Sequence, residues 1–222
     1  MAAAEDNRVR SDSFQAKTET AKFFSNKEDI DRVIKDVQKD VTSNADGDLI
    51  SVFILTMIDH WNHDHEKLVI LMQHTLYIVK YDFITRRIKD IKRIPVNAIT
   101  EVIFGSITYP QKSLMAPRVT KGLEMIWGNV ADIGFAQKWN PMCQTIPYGV
   151  FTDHPLAATD KVDTTKFTVQ NFKEEVRQLL EQNNKIVQEK DILIESYGNL
   201  SSVVFNQSNL GRSEERRVGK EC

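Results

Sequence analysis

The sequence has little of what a secreted or membrane-spanning protein needs. It contains two cysteines among 222 residues, Cys143 and Cys222, and so few thiols are typical of a reducing compartment rather than of a disulfide-stapled domain. No apolar run approaches the ~18–20 residues that cross a bilayer, and the run Leu49–Ile58 has only ten. The first residues lack an apolar signal core and the glycine at position 2 that myristoylation requires. These absences predict a cytoplasmic protein.

The chain also lacks a strong charge of one sign and the common catalytic motifs. Its 29 Lys and Arg against 31 Asp and Glu give a net charge of −2, so its overall field does not favour nucleic acid. Neither a G-x-x-x-x-G-K-[ST] loop, a G-x-S-x-G elbow nor an H-E-x-x-H motif is present. A cysteine phosphatase needs an arginine six positions after its nucleophile, whereas Gly149 stands six positions after Cys143. We therefore predict a non-catalytic protein without a cofactor or metal.

Hydrophobic periodicity predicts a sheet of short antiparallel strands. Only Gln73–Thr75 separates the second predicted strand from the third, a spacing that fits a tight hairpin. Such a meander cannot bury its face alone and needs a second sheet or a helix against it. The fold class predicted is therefore α+β. The predicted strands are Leu49–Ile58, Leu68–Met72, Leu76–Phe83, Ile99–Ile103, Gly122–Gly128 and Tyr148–Thr152.

Two amphipathic helices are predicted beside this sheet. Residues 25–45 carry an apolar stripe at helical spacing, which either docks on the domain or meets a partner chain. Thr168 is a candidate N-cap for a second helix that would plug one end of the sheet. The first stripe comprises Ile30, Val33, Ile34, Val37 and Val41, and the second comprises Val169, Phe172, Val176, Leu179 and Leu180.

The remaining segments complete the predicted organisation. Residues 1–24 are polar and predict a disordered tail, and residues 46–183 form the folded domain. Residues 184–211 are predicted to form a helical extension, in which Leu193, Tyr197, Leu200 and Val204 share one face. Residues 212–222 read RSEERRVGKEC, which looks like the translation of a sequencing adaptor and not native sequence.

One local basic segment stands out in this slightly acidic chain. It could contact anionic lipid head groups, where each base is worth about 1 kcal/mol. It could equally be a solvated strand edge, because Lys and Arg there prevent edge-to-edge pairing. The candidate membrane-contacting residues are Arg86, Arg87, Lys89, Lys92 and Arg93.

A histidine-rich loop, Asp59–Glu66, follows the first predicted strand. It holds three of the five histidines, His60, His63 and His65, among several carboxylates. Zinc takes such ligands, but no cysteine or distant histidine completes a set of four. A solvated hairpin loop is the favoured interpretation. A pH-sensitive surface is a further alternative, since histidines change charge near neutral pH.

Several short words resemble a known family in their order along the chain. They are L-Y-I-V-K-Y-D-F-I (76–84), R-I-P-V-N-A-I (93–99), W-N-P (139–141), I-P-Y (146–148) and F-T-D-H-P (151–155). Together they resemble the tumour protein p63-regulated gene 1-like family, over about residues 46–210. That family carries the Sac-two homology domain, a pleckstrin-homology-like (PH-like) module attached to an inositol phosphatase. The resemblance implies a PH-like antiparallel β-barrel or sandwich capped by a C-terminal helix, with flanking helices.

The resemblance also implies a function. It suggests a non-catalytic, self-associating adaptor, peripheral on vesicle membranes in the cytoplasm, that regulates synaptic vesicle exocytosis. The implied partners are the chain itself, an anionic membrane surface and presynaptic scaffold proteins, with no nucleic acid. The apolar faces predicted for residues 25–45 and for residues 184–211 add to the expectation of self-association. The alternatives are a phosphoinositide phosphatase-related enzyme and a protein-binding scaffold that makes no lipid contact.

Overall fold

A computed structural model describes residues 33–35, 37, 44–82, 84–110, 117–140, 143, 145–158 and 164–194. The helices are α1, Phe135–Lys138, and α2, Val169–Gln182, with short 3-10 helices at Asn44–Asp46, Val96–Ala98, Val130–Asp132, Pro155–Ala158 and Thr164–Phe167. The strands are β1 Leu49–Ile58, β2 Asp64–Met72, β3 Thr75–Asp82, β4 Arg87–Pro95, β5 Glu101–Thr108, β6 Lys121–Ile126, β7 Tyr148–Thr152, β8 Val187–Glu189 and β9 Ile192–Leu193.

The strands form one sheet in the order β4-β3-β2-β1-β7-β6-β5-β8, with β9 also pairing with β5. All neighbours from β4 through to β5 are antiparallel, while β8 and β9 run parallel to β5. Strand β1 joins the two halves, because its last three residues pair with β7 as well as with β2. The predicted α+β class is confirmed. The sheet is an open one that ends at β4 and β8, so hydrogen bonds do not close it into a barrel.

The sheet curls around helix α2, which fills its concave face. The Phe172 ring lies edge-on to Phe53 of β1, 5.2 Å between centroids, and to Phe151 of β7, 5.5 Å between centroids. One core cluster joins the α2 residues predicted for the apolar stripe to residues from β1 through β7. The predicted plug is therefore present, and it draws the two halves of the sheet together without a closing ladder.

A second cluster covers the convex face of β1, β2 and β3. Val33, Ile34 and Val37 of the N-terminal segment are buried there, in a cluster with residues such as Ile54 and Ile70. These three belong to the stripe predicted for residues 25–45, and burial on their own domain favours the docked alternative for them. The rest of that stripe lies outside the described residues.

The helical extension predicted from residue 184 is wrong over its described part. After α2 ends, residues 187–189 and 192–193 form β8 and β9, which add to the open edge of β5. Ile192 and Ile194 enter a third apolar cluster with Ile58 and Ile103, and this burial outweighs the helical spacing. Leu193, predicted to lie on a helical face, instead pairs with β5 and is exposed.

Gly105 allows this last segment to cross β5 closely. A Cβ atom added at Gly105 would lie 2.1 Å from the carbonyl oxygen of Lys190, closer than real Cβ atoms come. The Lys190 amide donates to the Phe104 carbonyl beside it, at 3.2 Å. A side chain at position 105 would therefore force the backbone of residues 190–191 away from the sheet.

Several predicted segments lie outside the described residues. These are the tail 1–24, the positions Tyr197, Leu200 and Val204, and the adaptor-like segment 212–222. Within the described chain, no helix is both long enough and apolar enough to span a bilayer.

Candidate functional site

The basic segment forms strand β4, which is one end of the sheet. Arg87, Lys89 and Arg93 are exposed along this strand, whereas Lys92 is half-buried. Lys92 directly precedes Arg93 and therefore points to the opposite face of the sheet from it. Arg86 precedes the strand in a turn and has a positive φ of 52°. The segment is therefore a strand at the edge of the sheet, as one of the two alternatives predicted. Part of it also exposes the bases on which the alternative of a lipid contact depends. The five predicted residues do not act as one patch.

Arg93 is tied to a carboxylate inside the protein. Its Nη2 atom donates to Oδ1 of Asp46 at 2.6 Å, and its Nε atom donates to the same oxygen at 3.1 Å. The Asp46 side chain is completely buried and also accepts hydrogen bonds from Thr75 Oγ1, at 2.8 Å, and Tyr77 Oη, at 2.5 Å. These hydrogen bonds to Asp46 raise the pKa of Arg93, while burial and the same carboxylate raise the pKa of Tyr77. Arg93 therefore anchors β4 to the turn before β1.

Lys89 lies beside Asp82 at the other end of β4. Their Nζ and Oδ2 atoms are 3.4 Å apart. Asp82 also accepts hydrogen bonds from the amides of Thr85 and Ile84, both at 3.0 Å, and hydrogen bonding, from Thr85 first, lowers its pKa to about 2. The exposed bases Arg86, Arg87 and Lys89 therefore surround a turn that an ionised aspartate organises.

Lys92 points away from that corner and into the concave side of the sheet. Its Nζ atom donates to the Ile146 carbonyl at 3.2 Å and lies 5.1 Å from the centroid of the Trp127 ring. Burial lowers the pKa of Lys92, because a charged ammonium group loses hydration there. The side chain is consequently part of a different site from the exposed bases.

That site is a groove at the end of the concave face, beyond the core that α2 fills. Lys67 of β2, Lys80 of β3 and Lys92 of β4 all line it. The opposite wall includes Tyr148, at the start of β7, and Cys143, in the loop before it. We name this feature the lysine groove. Sequence reasoning missed it.

The lysine groove concentrates positive charge with few counter-charges. Burial first, and then repulsion from Lys80 and more weakly from Lys92, lower the pKa of Lys67 to about 8 against the opposing attraction of Asp90 and Asp59. In the described part of the chain, neither the Lys67 nor the Lys80 side chain makes a hydrogen bond or an ion pair within 4.0 Å. Asp90 lies opposite Lys80 in the pairing of β3 with β4 and is one of two carboxylates on the groove.

Asp59 is the other carboxylate, and it organises the histidine loop. It accepts hydrogen bonds from the amides of Trp61 and His63, both at 2.8 Å, and its Oδ2 atom is 2.8 Å from Nε2 of His65. Burial acts to raise the pKa of Asp59, but these hydrogen bonds outweigh it and the net shift is downward. The loop is therefore ordered around one carboxylate.

The histidines themselves are engaged with neighbouring groups. His60 Nε2 lies 3.1 Å from the Asn140 carbonyl, and burial lowers the pKa of His60. Among the residues that the structure describes, no three His, Cys, Asp or Glu side chains are arranged to hold a metal ion. The hairpin-loop interpretation is the one that these contacts favour.

Comparison with known proteins supports the resemblance found in the sequence. A family model described as "hSac2: Inositol phosphatase" matches residues 21–128. The human "Tumor protein p63-regulated gene 1 protein" is 29% identical over 195 residues, which are 83% of this chain and 70% of that protein. A solved structure, "The hSac2 domain from human phosphoinositide phosphatase Sac2", is 13% identical with a TM-score of 0.47, covering 76% of this chain and 90% of that one. The predicted resemblance is confirmed.

Proposed function

We propose that this chain, a member of the tumor protein p63-regulated gene 1 family that carries an hSac2 domain, is a non-catalytic adaptor. It associates with itself, sits peripherally on vesicle membranes in the cytoplasm and regulates synaptic vesicle exocytosis. Its protein partners are presynaptic scaffold proteins, and its lipid contact is an anionic surface. The observation that carries the membrane part of this proposal is the exposed corner at the start of β4.

This corner combines bases with exposed apolar side chains. Arg86, Arg87 and Lys89 lie at the turn and first residues of β4, and Arg87 and Lys89 are exposed. Ile84 in the same turn is 68% exposed and Ile91 along the strand is 41% exposed. Bases that reach anionic head groups beside apolar side chains that enter the interface are the usual composition of a peripheral membrane contact. Three bases at about 1 kcal/mol each give a reversible attachment.

The non-catalytic part rests on the family and on the surroundings of Cys143. The thiol lies on the lysine groove and is 3.1 Å from Thr145 Oγ1. The described residues of the groove include lysines but no arginine, whereas a cysteine phosphatase uses an arginine to bind the phosphoryl oxygens. A phosphate-release assay on the purified chain tests the enzyme alternative, and measurable turnover that is lost in Cys143→Ser would replace the adaptor proposal.

Self-association is supported by the family and no longer by the helix stripes. The described part of the N-terminal stripe, at Val33, Ile34 and Val37, is buried on its own sheet. Leu193, from the apolar face predicted for residues 184–211, lies in a strand. Light scattering at micromolar concentration tests this part. A particle larger than the 25.5 kDa chain supports the proposal, and a monomer at every concentration contradicts it.

Liposome flotation tests the membrane contact. We expect the full chain to float with vesicles of phosphatidylcholine containing phosphatidylserine, and to remain with the soluble fraction when the vesicles are phosphatidylcholine alone. The triple variant Arg86→Glu, Arg87→Glu, Lys89→Glu should lose at least tenfold in partitioning, because about 3 kcal/mol of attraction is removed.

The matched control carries the same change of charge elsewhere on the surface. Lys35, Lys121 and Arg177 are exposed and lie off β4, so their triple replacement by Glu should leave most of the flotation intact. Equal recovery from neutral and anionic vesicles would favour a protein-binding scaffold without lipid contact. Equal loss in both triple variants would show that overall charge, and not the β4 corner, carries the attraction, and would contradict the proposed contact.

A further inference from the structure

The lysine groove has no role in the proposed membrane contact, and its charge points to a ligand of its own. We propose that it binds a phosphate group of a small phosphorylated ligand, with the ammonium groups of Lys67, Lys80 and Lys92 supplying the positive charge. This inference does not depend on membrane attachment, because the groove lies on the concave side of the sheet and the exposed bases lie at the β4 corner.

The three lysines meet because of strand pairing. Lys92 is paired with Ile78, and Lys80, two residues further along β3 than Ile78, therefore points to the same side of the sheet. Val69 is the partner of Ile78 on β2, so Lys67, two residues before Val69, also points to this side. All three face the concavity just beyond the core residues Val69 and Ile78.

The arrangement is costly for the protein in the absence of an anion. Lys67 is half-buried, lacks an ion-pair partner among the described residues, and is repelled by Lys80 and Lys92. A partly buried base without a counter-ion lowers stability, and such a group is typical of a binding site where function outweighs stability. An anion between the three ammonium groups would remove this repulsion.

The carboxylates of the groove do not neutralise it. Asp59 already accepts hydrogen bonds from the loop that it organises, and Asp90 lies across from Lys80. Three lysines against these two aspartates leave an excess of one positive charge on the groove. An anion is the ligand that this excess favours, and a phosphate group supplies both negative charge and several acceptor oxygens.

The volume of the groove and the fixed position of Lys92 agree with the binding of a phosphate group. Its volume is about 150 Å³, below the ~300–1,000 Å³ of sites that enclose a drug-sized molecule, so it holds one charged group and leaves the rest of a ligand outside. Lys92 is positioned by the Ile146 carbonyl and the Trp127 ring. Phosphate offers three acceptor oxygens and up to two charges, which several ammonium donors can share.

Calorimetry with inorganic pyrophosphate as the probe tests the site directly. We expect binding by the wild-type chain that weakens at least tenfold in Lys67→Met and in Lys80→Met, since methionine keeps an unbranched side chain without the charge. The control Lys121→Met removes an exposed lysine outside the groove and should bind as the wild type does. Circular dichroism confirms that each variant is folded.

A second measurement follows Lys67 itself. Its side-chain carbon resonance should titrate near pH 8 in the free chain, and pyrophosphate should move that midpoint upward because a bound anion stabilises the ammonium form. No binding heat at millimolar pyrophosphate, or equal binding by wild type and Lys67→Met, would overturn the inference.

Two further arms identify the source of the phosphate. Soluble inositol trisphosphate is compared with phosphatidylcholine vesicles that contain phosphatidylinositol bisphosphate, and the tighter binding shows whether the group is free or carried by a lipid. The Arg86, Arg87, Lys89 triple variant should keep pyrophosphate binding while losing flotation with phosphatidylserine, and Lys67→Met should do the reverse. The failure of this inference is thereby distinguishable from the failure of the proposed function.

Discussion

Arg93, on the surface of the edge strand, donates two hydrogen bonds to a single oxygen of Asp46, whose side chain is wholly buried. The two residues are 47 positions apart, and the carboxylate also accepts hydrogen bonds from the hydroxyl groups of Thr75 and Tyr77. A base in the most basic segment of the chain therefore stabilises the fold. The half-exposed guanidinium belongs to a hydrogen-bond network that joins the turn before β1 to β3 and β4.

Replacing Asp46 should destabilise the chain strongly. Asp46→Ala removes the acceptor of Arg93, Thr75 and Tyr77, and each of the two buried hydroxyl groups left without a partner costs about 1–3 kcal/mol. Urea denaturation measures the free energy of unfolding. Arg93→Ala should cost less than Asp46→Ala, because Arg93 is half exposed and the carboxylate keeps its other donors. Equal losses in the two variants would contradict the central role of the carboxylate.

Removing the charge of Lys67 should stabilise the protein at neutral pH. Its pKa is lowered to about 8, mainly by burial, so the charged form is unfavourable in the folded chain below that pH. The cost is fully present below pH 8 and disappears as the pH rises from 8 to above 10. Lys67→Met should therefore raise the free energy of unfolding at pH 7 by about 1–3 kcal/mol, discounted for partial exposure, and the gain should fade toward pH 10.5. A gain that is independent of pH would indicate a packing effect.

For Glu124 of β6 we expect the opposite dependence of the free energy of unfolding on pH, in a lower pH range. Burial, and then repulsion from Glu101, raise its pKa to about 7, so the folded chain binds the proton more tightly than the unfolded chain does. Stability contributed by the protonated form is present below pH 4.5 and is lost as the pH rises through 7. Glu124→Gln should be near neutral in effect at pH 4.5 and stabilising by about 1–2 kcal/mol at pH 8.5. Chemical denaturation at both pH values checks this, and a larger gain at the lower pH would refute it.

Gly105→Ala should detach the last segment from β5. The added methyl group would lie 2.1 Å from the Lys190 carbonyl oxygen, and the backbone of residues 190–191 would have to shift. Hydrogen exchange should show faster exchange of the Lys190 and Ile194 amides, which donate to Phe104 and Thr108. Gly134→Ala is the control, because its Cβ would meet only a flexible glutamine oxygen at 3.5 Å.

The strands and the plugging helix were predictable because their signals are local. The apolar run Leu49–Ile58 and the 3.6-residue period from Val169 to Leu180 are written into neighbouring positions, so the strand and the buried face of the helix could be read from the sequence. The segment 187–193 could not, because its residues pair with β5, more than 80 positions earlier in the chain. An open sheet edge and an apolar cluster around Ile58 and Ile103 selected strands there over a helix.

The candidate sites were also partly predictable from the sequence and partly decided by the fold. Bases that are adjacent in sequence made the β4 corner visible, yet strand alternation sent Lys92 to the opposite face and the buried Asp46 engaged Arg93. The chain's own order of residues settled the strands β1, β2, β3, β5, β6 and β7, the helix that fills the concave face and the family that the protein resembles. Folding then settled which charges share a site, because Lys67, Lys80 and Lys92 become neighbours only when three strands pair in register.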